Sequence, residues 1–138
     1  KLQTQCTSCP NAIAQWAAVA ALEGPKAFLE KNRRAFLARR DLVLTRLNQI
    51  PGLRCATPRG AFYAFTNCHG ILGQKTRSGA RIETDADLAH FLLEEHNVAL
   101  VPGSAFGLAP HLRLSYAASE DALNTGCDRI ETAIAELS

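Results

Sequence analysis

Apolar residues along the chain fall into patterns that predict four helices and three strands. From Asn11 to Leu22 they run almost without a break, as Ala12-Ile13-Ala14, then Trp16-Ala17-Ala18-Val19-Ala20-Ala21-Leu22. Alanine is the strongest helix former, and proline at Pro10 suits a first helical turn, where its missing N–H is not needed. A helix starting near Pro10 and ended by Gly24-Pro25 is therefore predicted. Being apolar all round, it is expected to be buried. A second helix is predicted from Lys26 to Gln49, with Leu29, Phe36, Val43, Leu47 and Ile50 on one stripe, Leu37 and Leu44 widening it, and Arg33, Arg34, Arg40 and Asp41 opposite. At ~1.5 Å per residue it would be about 35 Å long, enough to link two domains. Pro51-Gly52 ends it.

Beyond this helix the periods shorten. Gly60-Ala61-Phe62-Tyr63-Ala64-Phe65 predicts a strand by its aromatic content, and the Gly-rich, basic stretch from Asn67 to Arg81 predicts a surface loop. Thr84-Asp85-Ala86-Asp87 places a hydroxyl three positions before a carboxylate, the signature of a helix start. The helix that follows should bury Leu88, Phe91, Leu92 and Leu93. Val98 to Val101 predicts a short strand, and Leu112-Arg113-Leu114-Ser115-Tyr116 a strand of strict alternation. The last helix opens at Ser119, has Glu120 and Asp121 in its first turn, and aligns Leu123, Cys127, Ile130, Ile134 and Leu137. The resulting class is α/β or α+β: a short mixed sheet packed with helices, one of them a long linking helix. The first helix finds no partner in this pattern, so its place is expected in another layer or another subunit.

Composition narrows the function. With 138 residues, 47% hydrophobic and 20% charged, the chain is one ordinary domain or a piece of a larger protein. A net charge of only +2 argues against a dedicated nucleic-acid binder. No apolar run approaches the ~20 residues of a membrane helix, and no leader pattern is visible. The chain opens on Lys1, which points to a start inside a longer protein. Its five cysteines are odd in number and irregularly spaced, a pattern of a reducing compartment rather than of a secreted disulfide scaffold. Cys6 and Cys9 have CxxC spacing, but no second pair follows to complete a zinc site, and Cys68-His69 are adjacent, a poor geometry for one metal. Small buried hydrophobes account for several of the cysteines better.

Arg113 is the most informative polar residue. Strand alternation turns Arg113 and Ser115 away from Leu112, Leu114 and Tyr116. A guanidinium is costly to bury unpaired, and it grips a carboxylate through two parallel hydrogen bonds. Taken by itself the strand allows three roles: a surface arginine, a partner of an internal acid, or a ligand-binding cation. Just upstream, Val101-Pro102-Gly103-Ser104-Ala105-Phe106-Gly107 leaves a strand as a turn-rich loop of the kind that builds ligand sites, although it lacks the Gly-Lys-Ser/Thr ending of a phosphate loop. His69, His90, His96 and His111 are assigned no role.

Four blocks make the sequence resemble a known family. Thr7-Ser8-Cys9-Pro10 with Ile13-Ala14-Gln15-Trp16-Ala17-Ala18, Pro58-Arg59-Gly60-Ala61-Phe62-Tyr63, Val101 to Gly107, and Leu112-Arg113-Leu114-Ser115-Tyr116-Ala117 resemble, in order and spacing, blocks of the class I aminotransferases. The nearest resemblance is to bacterial-type aspartate aminotransferases of the fold type I, pyridoxal-phosphate-dependent group, and it covers essentially the whole chain. It implies the C-terminal portion of such an enzyme. Residues 1–24 would end the large cofactor domain and residues 25–138 would form the small C-terminal domain. Arg113 would hold the substrate carboxylate, while Ser8 and Cys9 would lie in a loop reaching the active site of the partner subunit in a homodimer. Substrates would be an amino acid and a 2-oxo acid, in a cytoplasmic enzyme with no nucleic-acid or membrane partner.

Two departures from the family pattern matter. Cys9 stands where the family has asparagine, which exchanges a donor and acceptor for a weak thiol donor. The resemblance also places the imine-forming lysine, the partner of the pyridine nitrogen and most phosphate ligands upstream. Lys1, Lys26, Lys31 and Lys75 are the only lysines and none sits in that motif, so this chain is expected neither to hold pyridoxal phosphate covalently nor to transaminate alone, and no catalytic residue is assigned within it. A lyase or synthase of the same fold, or a non-catalytic carboxylate-binding or dimerising module, would keep the same arginine.

Overall fold

The computed structural model describes all residues from Lys1 to Ser138 and divides into two compact units, Lys1–Arg34 and Ala35–Ser138. The division falls inside a long helix.

The first unit is helical. Helix α1 (Leu2–Thr7) has no periodic signal in the sequence and was not expected; it ends at Ser8, which takes a φ of 56°. Helix α2 (Ala12–Glu23) starts two residues after Pro10 because Asn11 caps it, its side chain accepting from the Ile13 and Ala14 amides at 2.9 and 3.2 Å. No residue of Lys1–Arg34 is buried. The expected burial of the alanine-rich helix is therefore corrected: its helicity is local, whereas burial needs neighbours that this unit does not contain. Helix α3 (Ala27–Gln49) begins here, where Glu30 accepts from Arg33 and Arg34 at 2.8 Å each.

The second unit holds the core. Its sheet has the order β1-β2-β4-β3 and is antiparallel throughout, where a mixed sheet was expected. Strand β1 (Arg54–Cys55) is too short to show in the pattern. Strand β2 (Tyr63–Asn67) begins three residues later than the aromatic run suggested, because Ala61 takes a φ of 58° and the preceding segment turns. Strand β3 is only Val101–Pro102: at Val98 the chain is still leaving the preceding helix, and the Val98 amide donates to the Leu92 carbonyl. Strand β4 (His111–Ser115) pairs with β2 so that Phe65 faces Arg113, and β3 places Val101 on the other side of Arg113.

Helix α4 (Asp85–His96) opens with the expected capping box between Thr84 and Asp87, and buries Leu88, Phe91 and Leu92, although Leu93 is exposed. Helix α5 (Glu120–Ala135) is capped by Ser119 and buries Leu123, Cys127, Ile130 and Ile134. The segment between Asn67 and Arg81 is less free than a surface loop: it holds a 3-10 turn at His69–Ile71 and a bridge between Lys75 and Arg81, with Cys68, Ile71 and Thr76 buried. Alternation then splits the sheet. Ala64, Thr66, Leu112 and Leu114 face one cluster shared with Val43, Leu47, Leu88, Leu92, Leu123 and Ile130 from α3, α4 and α5. Tyr63, Phe65, Asn67, His111, Arg113 and Ser115 point to the opposite face, where none of the six is fully buried. No helix is long and apolar enough to cross a membrane.

Candidate functional site

Arg113 stands on that open face, half-buried, at the centre of β4. Its guanidinium carbon lies 4.5 Å from the ring centroid of Tyr63 and 4.2 Å from that of Phe106. Two aromatic rings thus stack on the cation, an arrangement worth roughly 0.5–2 kcal/mol for each ring depending on desolvation. None of its guanidinium nitrogens forms a hydrogen bond or ion pair with another residue of this chain. The rings take up room that water would otherwise occupy but offer no acceptor, so the N–H fork stays free for a planar anion. Less water beside a charge strengthens any ion pair that forms there. Of the three roles the strand allowed, pairing with an internal acid is removed.

Both rings are held by named contacts. Tyr63 follows the turn containing Ala61. The Tyr116 hydroxyl donates to the Ala61 carbonyl at 3.0 Å, and the Tyr116 amide donates to the Phe62 carbonyl at 2.9 Å. A non-glycine residue at positive φ carries strain, and the buried tyrosine supplies contacts that hold it there. Phe106 belongs to the 3-10 turn Gly103–Phe106 and meets Phe65 edge to face at 6.0 Å. Gly103 is required by close packing: a Cβ there would run into the Leu108 carbonyl oxygen.

Asp85 completes the neighbourhood. It is 2% exposed, and its carboxylate accepts from the Ser104 amide at 2.8 Å and the His111 amide at 3.3 Å. Burial pushes its carboxyl up, but the Ser104 amide and hydroxyl and the His111 and Ala86 amides outweigh that and hold it below the usual carboxylate range. The sequence pattern marked Asp85 only as part of a helix start; Asp87 fills that role, accepting from the Thr84 amide at 2.8 Å. Tyr63 and Phe106 appeared inside recognised blocks, but their meeting at Arg113 depends on a strand register that periodicity does not carry. His111 shares the open face, with Nδ1 buried and without a partner. Ser8 and Cys9 are exposed residues of the first unit, whereas Arg113 belongs to the second.

The model described as aminotransferase class I and II matches residues 1–130. An aspartate aminotransferase of Rhizobium meliloti (strain 1021) is 53% identical over 99% of this chain and 33% of its own length. A probable aspartate/prephenate aminotransferase of Rhizobium leguminosarum bv. phaseoli is 50% identical over 94% of this chain and 32% of its own length. The crystal structure of an aspartate aminotransferase from Rhizobium meliloti superposes with a TM-score of 0.95 at 52% identity, covering 99% of this chain and 34% of that one. The chain belongs to the class I and II aminotransferases, with the fold of that family's fold type I enzymes, and spans about a third of the length of the curated relatives it matches.

Proposed function

We propose that this chain is the C-terminal portion of a pyridoxal-phosphate-dependent aminotransferase that moves an amino group between aspartate and a 2-oxo acid, and that Arg113 binds the substrate carboxylate. One observation carries the role of Arg113: its guanidinium lies against two rings yet has no acidic partner in this chain. Amino-acid and 2-oxo-acid substrates share a carboxylate beside the reacting carbon, so one fixed cation can orient both. Orientation of this kind is a large share of catalysis, because it replaces a search among geometries by one bound pose.

The residues present here do not make a pyridoxal phosphate site. All four lysines, Lys1, Lys26, Lys31 and Lys75, are exposed, and none is enclosed as an imine lysine would be. The reading places the cofactor ligands in the remainder of the subunit, residues 1–24 at the end of its large domain and residues 25–138 in its small domain. It further places Ser8 and Cys9 toward the partner's active site in a cytoplasmic homodimer.

The test uses the full-length subunit that carries this chain. Transamination of aspartate is expected, and Arg113→Lys, which keeps the charge but loses the fork, should lower kcat/KM by ~2–4 kcal/mol, chiefly through KM. An unchanged kcat/KM would sink the role of Arg113. A folded, cofactor-loaded subunit that does not transaminate would sink the aminotransferase reading. Borohydride reduction of this chain mixed with pyridoxal phosphate should leave no stoichiometric adduct.

A further inference from the structure

We infer that Asp85 is a positioning residue for the substrate carboxylate: one buried oxygen ties down the loop that holds Phe106 over Arg113. The inference rests on the reading of Arg113 given above. Asp85 is the only charged residue among the buried ones, and a buried carboxylate persists only where hydrogen bonds replace its water. As the first residue of α4 it gains from the helix N-terminus, but that end is already satisfied by the Thr84–Asp87 box. The side chain also reaches beyond the helix. Its Oδ2 accepts from both Ser104 and His111, the residues that open and close the Ser104–His111 segment.

Phe106 lies within that segment, 4.2 Å from the Arg113 guanidinium, yet is 50% exposed. Burial of its own ring therefore cannot fix it; apart from the edge-on contact with Phe65, its position comes from the backbone. Gly103 sets one constraint, since the loop closes against the Leu108 carbonyl and His111 there. The Gly107 and Leu108 amides close the turn itself, donating to the Ser104 and Gly103 carbonyls, and Asp85 joins the loop's start to the first residue of the strand that bears Arg113. Without this tie Phe106 would swing off the cation, water would reach that face of the guanidinium, and an incoming carboxylate would meet a better hydrated partner. The contact is made equally to substrate and transition state, so its loss should appear in KM while kcat changes little.

In the cofactor-loaded full-length subunit, Asp85→Ala, which removes the shared acceptor oxygen, is expected to raise KM for the amino acid and the 2-oxo acid together, by roughly 3- to 30-fold, the worth of one cation–aromatic contact. Asp85→Asn keeps one acceptor oxygen and should restore most of the wild-type KM. Phe106→Ala alters an exposed side chain, so its folding is not at issue, and it should reproduce the rise seen in Asp85→Ala. The double variant Asp85→Ala with Phe106→Ala should be no worse than Phe106→Ala alone. Additive effects, a Phe106→Ala enzyme with unchanged KM, or an Asp85→Ala enzyme that is less heat-stable but has unchanged KM would each overturn the inference. Arg113→Lys separates the two claims: if it is silent, the carboxylate reading itself fails; if it raises KM while Asp85→Ala does not, only the positioning role fails.

Discussion

Helices α2 and α5 form for similar local reasons and end up in opposite circumstances. Asn11 caps the first and Ser119 the second, each side-chain oxygen accepting amides of the first turn. Along α5, Leu123, Cys127, Ile130 and Ile134 make one stripe, and all four are buried. Along α2 the apolar residues go all the way round, and Ile13, Trp16 and Leu22 are 80%, 75% and 71% exposed. A single stripe can be covered by one layer, which the sheet and α4 provide. A helix apolar on every side needs several layers, and nothing in Lys1–Arg34 provides even one. The contrast shows that helix formation was decided within a dozen residues, while burial depends on chain that need not be nearby. It is what the proposed function expects of an element whose covering layers belong to the rest of a subunit about three times as long.

Thiol chemistry tests the contrast with the largest expected effect. Cys6 and Cys9 are exposed in the first unit; Cys55, Cys68 and Cys127 are buried in the second. Burial, with the Asp85 charge adding to it, pushes the Cys68 thiol up to about 11, and burial raises the other two as well. Access and ionisation therefore protect the same three groups. In this chain at neutral pH, two of the five thiols should react with a disulfide reagent at once. The other three should wait for unfolding and react at least ~1,000-fold more slowly. A third fast thiol would break the comparison.

Side-chain truncation asks the same question with a smaller effect. Leu92 is wholly buried, and Leu92→Ala should lower the stability of this chain by ~2–5 kcal/mol through lost transfer energy and a residual cavity. Trp16→Ala removes a larger side chain from an exposed position and should change stability by less than ~0.5 kcal/mol. Urea unfolding followed by circular dichroism measures both. Equal losses would mean that Trp16 is covered in solution.

What could be read beforehand follows the same division between local and distant causes. The capping box at Thr84 and Asp87, the stripe on α5 and the alternation around Arg113 are local patterns, and each appears in the structure. Features that depend on distant partners were not legible. Strand β2 starts at Tyr63 because Tyr116, 55 residues beyond Ala61, holds the Ala61 turn. Asp85 looks like one more acid at a helix start until the folded chain brings the Ser104 and His111 amides to it. Arg113 was singled out by alternation and by resemblance, but the rings that flank it come from two other segments of the chain.

Acid titration gives the smallest effect and contrasts two carboxylates depressed for different reasons. Glu30, fully exposed in the first unit, is held at about 2 instead of 4.5, first by hydrogen bonds from Arg33 and then from Arg34. Asp85, buried in the second, is held low mainly by backbone amides against the opposing pull of burial. A lowered folded pKa contributes stability that is complete above the unfolded value and is lost as pH falls through the folded one. The Glu30 contribution should therefore fade between pH 4.5 and about 2, as local fraying at the start of α3. Salt separates the two carboxylates. At 1 M the screening length is about 3 Å, so the exposed Glu30 midpoint should rise toward 4.5, while Asp85, whose amides are fixed and shielded from ions, should hardly move. Carboxyl titrations by nuclear magnetic resonance at low and high salt measure both, and an Asp85 midpoint that shifts with salt as far as that of Glu30 would show its carboxylate to be solvated rather than locked beneath the loop.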